Sequence, residues 1–321
     1  MLALLTGLWA GLARLGWDVP LPRPGFSSLH GPLMVSGFLG TLISLERAVA
    51  LGRPWAYATP LLTGLGGVGL IVGAPLLAAQ LSMLAGSIGL VAIFAAIIRR
   101  HPALYTFTMG GGSLVWALGN LLWCLGWPVF LVVFWWAAFL VVTIAGERLE
   151  LARLQQVTGA AQATLLLLLG ILLTGLLLLG WSFDGGVRLF GLGLAGLALW
   201  LGRHDIARRT VKQAGLTRFI AICLLTGYVW LGISGLSAMW FGGVPVGPQY
   251  DATLHAFFLG FVFAMIFAHA PIIFPAVLGA RMAYRPLFYA HVVLLQVTLV
   301  ARVIGDVSGW GAGRQVGGLL N

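Results

Sequence analysis

Residues 165–179 read Leu-Leu-Leu-Leu-Leu-Gly-Ile-Leu-Leu-Thr-Gly-Leu-Leu-Leu-Leu, a run with one hydroxyl and no charge. A surface helix of a water-soluble domain needs a polar face, and this stretch has none. It reads as the middle of a membrane-spanning helix, which takes about 20 apolar residues to cross the hydrocarbon core. Comparable runs recur along all 321 residues, separated by short polar breaks. Hydrophobic residues make up 60% of the chain and charged residues 8%, with a mean hydropathy of +1.02. A soluble domain carries roughly a quarter charged residues, so this chain cannot cover a water-facing surface. The expected fold is all-α: a polytopic transmembrane helix bundle seated in a lipid bilayer.

The breaks predict about twelve spans, near 1–17, 29–51, 55–74, 77–98, 103–126, 127–146, 160–181, 187–202, 217–241, 251–279, 285–304 and from 308 onward. Only 203–217, 147–159 and 242–250 are long enough to fold outside the bilayer, so 1–321 reads as a single transmembrane domain. Chemistry, if present, has to be built between helices. The first and last runs are short, which reads as a chain cut from something longer. Of the 18 lysines and arginines, 13 follow even-numbered spans, including Arg47, Arg99, Arg148, Arg208, Lys212 and Arg281. Cytoplasmic loops are enriched in such residues, which puts the N-terminus in the cytoplasm.

The same distribution explains the net charge of +10 without nucleic acid, because the cations lie at span ends rather than in one patch. Cys124 and Cys223 sit inside apolar runs, and no CxxC or CxxCH occurs. Covalent haem attachment and zinc fingers are therefore unsupported. Met1–Trp17 lacks the basic start and small-residue cleavage site of a signal peptide. A faint echo links Leu45-Glu46-Arg47 at the end of the second span to Gly146-Glu147-Arg148 at the end of the sixth. Two readings stay open: separate interfacial ion pairs, or a repeat of four helices.

Ionisable residues inside spans are costly and point to function. His101 and His204 fall in turns beside arginines and read as interfacial. His30 opens the second span and His255 the tenth, at one expected depth near the outer surface. His269 and His291 fall in the cytoplasmic halves of spans ten and eleven, a less specific pair for a metal or a proton relay, with a structural hydrogen bond as the plainer reading. Imidazoles from two helices are common axial ligands of haem iron. Gly31, Gly37 and Gly260 near the first pair would let a flat macrocycle approach the backbone, and Phe257, Phe258, Phe261 and Phe263 could pack its faces. Each lone histidine also has an ordinary reading as a hydrogen-bonded interfacial side chain.

Other features are weaker. Met34, Met109, Met239, Met265 and Met282 could offer thioethers to copper(I), but scattered methionines read better as packing. Trp123, Trp127, Trp135 and Trp136 read as an outer aromatic belt plus packing. Asp251 and Tyr250 sit beside His255, with Asp251 a candidate N-cap.

Leu29-His30-Gly31-Pro32-Leu33-Met34 resembles the His-Gly-x-x-Met start of the second helix of haem–copper oxidase subunit I, and Thr253-Leu254-His255-Ala256-Phe257-Phe258-Leu259-Gly260 resembles its tenth. That resemblance implies a low-spin haem held by His30 and His255, twelve spans and a pseudo-threefold set of four-helix units. Thr253 stands where the high-spin haem ligand would be, and spans six and seven carry no histidine. The copper ligands are thus missing, and dioxygen reduction is not implied. The chain is more similar to the NnrS family of haem- and copper-containing membrane proteins, linked to nitric-oxide stress in bacteria. It keeps His30, Met34 and Gly37-Phe38 of that family's second span and Leu254-His255-Ala256 of its later run. Pro32 and Leu33 replace that family's second histidine and its glutamate.

The resemblance implies a protein of the bacterial inner membrane with one bis-histidine haem b, for electron transfer or gas-related chemistry, supplied by a quinol or cytochrome donor. Copper is a further cofactor it suggests. Two alternatives stand beside it: a transporter or channel, with Pro271 and Pro275 breaking span ten, and a structural subunit of a respiratory complex.

Overall fold

The computed structural model describes residues 1–152, 157–279 and 283–321, with helix as the regular structure among them. Arg153, Arg281 and Met282 lie outside the described residues. The helices are α1 (Leu2–Arg14), α2 (Phe26–Leu51), α3 (Pro54–Val72), α4 (Leu76–Arg100), α5 (Leu104–Cys124) and α6 (Val129–Ala152). They continue as α7 (Gly159–Leu178), α8 (Phe183–His204), α9 (Gly215–Phe241), α10 (248–278), α11 (Phe288–Ser308) and α12 (Gly311–Leu320). Among the described residues, nine of these, all but α1, α5 and α12, are long and apolar enough to cross a membrane.

Local chemistry sets the helix ends. Thr158 and Ser182 cap α7 and α8 through their hydroxyls, which accept from Ala161 N and Gly185 N at 3.3 and 3.2 Å. Gly52 ends α2 and Gly73 ends α3 at φ of 63° and 83°, a left-handed geometry that side chains rarely adopt. Asp251 is not an N-cap: α10 starts at Pro248 after Gly247, which leaves Asp251 within the first turn. Nor do Pro271 and Pro275 break α10, which stays helical from Ala264 to Leu278.

The chain packs as two compact units, Met1–Gly146 and Glu147–Asn321. Within the first, α1 lies against α2, and α2, α3, α4 and α5 pack in sequence. In the second, α7, α8, α9, α10, α11 and α12 likewise pack each against the next. Short connections make such neighbours antiparallel hairpins. Small residues bring their backbones together, as where Gly175 of α7 meets Gly186 and Phe190 of α8.

Two helices depart from α geometry. In α2, the eight residues Leu33–Gly40 are π-helical, and in α10 so are the eight residues Ala256–Phe263. π-helix is rare, occurs mostly as single turns and is frequent at functional sites. Here each stretch begins within three residues of a histidine singled out from the sequence, His30 in α2 and His255 in α10.

Candidate functional site

His30 belongs to the first unit. Its Nδ1 lies 2.8 Å from Gly7 O of α1, and its ring occupies the space a side chain at Gly11 would take. A carbonyl can only accept, so Nδ1 carries the hydrogen, and in the neutral imidazole Nε2 holds the lone pair. Met34, one turn further, fills the space beside Gly7.

His255 belongs to the second unit and repeats this arrangement. Its Nδ1 lies 2.9 Å from Asp251 O, one turn earlier on α10, and 3.2 Å from Asp251 Oδ1. Arg302 of α11 donates from Nε and Nη2 to the two Asp251 oxygens at 3.0 and 3.1 Å, and Nη2 also lies 3.2 Å from His255 Nε2. A guanidinium has no acceptor, so Nε2 again holds the lone pair. Nearby, Asp306 pairs with Arg314 of α12 at 2.8 Å.

His269 lies fourteen residues further along α10, about 20 Å by helical rise. It has the same tautomer: Nδ1 is 2.6 Å from Met265 O, and Arg148 Nη2 of α6 is 2.8 Å from Nε2. Arg148 Nη1 stands 3.9 Å from Asp205 Oδ2. Asp205 in turn accepts from Tyr228 OH at 2.6 Å and from Ala207 N at 2.7 Å. Arg148 and Arg302 are 5% and 6% exposed, so neither is the solvated topogenic charge that its place near a helix end suggests. The Glu-Arg echo diverges accordingly. Arg47 pairs with Glu46 at 3.2 Å and lies over the Phe94 ring, whereas Arg148 points to His269 and Asp205.

His269 and His291 have different described neighbours. His291 packs edge-on against Phe267, with ring centroids 4.5 Å apart, and near Phe219 and Phe288. Phe267 and His269 are two residues apart, roughly 200° around α10, so the two histidines lie on different sides of it. Among the described residues, no three His, Cys, Asp or Glu side chains gather into a metal-binding group. Met109 and Met265 fill the hollows beside Gly146 and Gly227.

Haem iron takes an imidazole nitrogen lone pair as an axial ligand, and His30 and His255, each within its own unit, hold Nδ1 on a backbone carbonyl. Of the glycines expected to cradle a macrocycle, Gly37 and Gly260 are covered by protein, whereas a side chain at Gly31 would meet only Val129 among the described residues, at 3.5 Å. Trp230 of α9 covers Gly260, and Gly37 meets Gly67 of α3 and Ala3 of α1. In the first unit, Trp116 of α5 covers Gly40 of α2 in the same manner.

Sequence reading missed a polar cluster in the first unit. Asn120 Oδ1 accepts from Ser36 Oγ and from Trp136 Nε1, both at 3.0 Å, while Trp116 Nε1 donates to Ser36 Oγ at 3.2 Å. The indole can only donate, so the amide orientation is settled, and Asn120 Nδ2 has no partner among the described residues. Trp123, Trp135 and Trp136, expected as an aromatic belt plus packing, are buried, in keeping with the packing role. Arg148, Asp205, Tyr228 and Arg302 were missed as well. For Arg148, Asp205 and Arg302 the signal available was a charge within a few residues of a helix end, which surface arginines share; Tyr228, in the middle of α9, carried none.

Residues 1–321, the whole chain, match the model of a family described as a domain of unknown function (DUF8744). No curated protein and no solved structure matches the chain.

Proposed function

The chain belongs to the DUF8744 family, and for it we propose a multi-pass protein of the bacterial inner membrane that binds one haem b through His30 and His255. Its role in this reading is electron transfer or nitric-oxide and other gas-related chemistry, with a quinol or cytochrome as donor. The proposed topology has twelve spans, with α1, α5 and α12 added to the nine that meet the membrane criterion, and a cytoplasmic N-terminus.

The supporting observation is the matched setting of the two imidazoles. Each has Nδ1 on a backbone carbonyl, at 2.8 and 2.9 Å, and each stands just before eight π-helical residues. An Nδ1–H bond of this kind fixes the ring and raises the basicity of Nε2, as it does in metal-bound histidines. A haem held this way supplies a one-electron couple in a low-dielectric interior. Arg302 Nη2 lies 3.2 Å from His255 Nε2, so a haem on that nitrogen would have to displace it, while Arg302 Nε would still reach Asp251 Oδ2.

The two buried arginine–histidine networks favour a second reading, a path for a polar solute. Against it, residues 256–268 of α10, between the networks, carry no polar side chain. The test is the visible spectrum of the purified protein. A Soret band and a sharp reduced α-band of six-coordinate haem b are expected. Colourless, folded protein overturns the haem reading and favours the polar path. A Soret shift on adding carbon monoxide would indicate a labile ligand and favour gas chemistry over electron transfer alone.

A further inference from the structure

Residues 203–218, joining α8 to α9, hold five cations and one acid. Arg203, Arg208, Arg209, Lys212 and Arg218 are exposed, whereas Asp205 is 4% exposed. The acid faces inward because Tyr228 OH and Ala207 N donate to its two oxygens at 2.6 and 2.7 Å, with Arg148 Nη1 at 3.9 Å. The Ala207–Thr210 helix holds the segment in shape, and Arg208 Nη1 donates to Arg203 O at 3.2 Å across its base. None of the five cations makes an ion pair among the described residues. The segment thus presents five positive charges with its only negative charge withdrawn.

We propose that this loop is a headgroup site for anionic phospholipid, engaging more than one phosphate at once. Arg208 and Arg209 are adjacent and Lys212 follows one turn on, close to the ends of two apolar helices where headgroups lie. Guanidinium groups pair with phosphate oxygens through parallel hydrogen bonds, and each basic residue adds to attraction for an anionic leaflet. Tyr228 acts as a positioning residue: its hydroxyl keeps Asp205 from turning outward among the cations. The inference is independent of haem.

Native mass spectrometry of the full chain, with phosphatidylglycerol, cardiolipin and phosphatidylcholine as probes, tests it. The wild type should retain the two anionic lipids over phosphatidylcholine. R209Q/K212Q should weaken that retention on the order of 10-fold, and Tyr228→Phe should weaken it less. Equal retention of all three lipids by the wild type, or unchanged retention in R209Q/K212Q, overturns the proposal. Should the double variant not fold, salt decides on the wild type: raising ionic strength should remove the preference, and a salt-insensitive preference overturns it.

Discussion

Asn120 and Arg302 show how a buried polar side chain is worth most through what its loss strands. Asn120→Leu would leave the Trp136 N–H and the Ser36 hydroxyl without their shared acceptor. Each unsatisfied buried group costs about 1–3 kcal/mol, so the variant should lower thermal stability in detergent measurably, and an unchanged melting temperature would contradict the network. Arg302→Leu would strand Asp251 beside His255, and breaking a buried pair costs about 3–5 kcal/mol. Arg302→Lys should recover part of that loss, since lysine restores the charge without the two-pronged contact. His30 and His255 stand out in the sequence because histidine is rare in an apolar run. Arg148 and Arg302 were not: near a helix end, an arginine bound for a buried partner looks the same as one reaching for headgroups. Only the fold brings Asp251 and His269 to them.

At the scale of helices, the sequence reading and the structure agree closely. The twelve expected runs correspond in order to α1 through α12, because nearly every break is marked by Gly, Pro or a hydroxyl cap. The π-helical stretches were not legible. Leu33–Gly40 and Ala256–Phe263 are largely apolar sequences like their neighbours, with no local pattern that marks the change of geometry. The prolines of α10 misled in the opposite sense. A proline in a membrane helix is tolerated when neighbouring groups take up the freed carbonyl, and α10 continues through both. Gly260 gives a direct check on the second π-helical stretch, because a side chain there would overlap Trp230. Gly260→Val should destabilise by about 1–3 kcal/mol through overpacking, whereas Gly159→Ala, with open space around it, should leave the melting temperature nearly unchanged.

For the whole molecule, composition alone carried the membrane assignment, and nine helices of spanning length and apolarity bear it out among the described residues. Twelve spans and the orientation are proposals with a clear test. Reporter fusions after α2, α4, α6, α8 and α10 should all report the cytoplasmic side, and those after α3, α7, α9 and α11 the other. A fusion after α9 that reports the cytoplasm would contradict the alternation. The haem assignment is where sequence pattern and hydrogen-bond geometry meet, and the spin state of the bound iron tests it most directly. In electron paramagnetic resonance of the oxidised protein, the wild type should give a low-spin signal. His30→Ala and His255→Ala should each lose the haem or convert it to a high-spin form that binds carbon monoxide. A low-spin signal unchanged in both variants, or no haem signal in folded wild-type protein, would contradict the account.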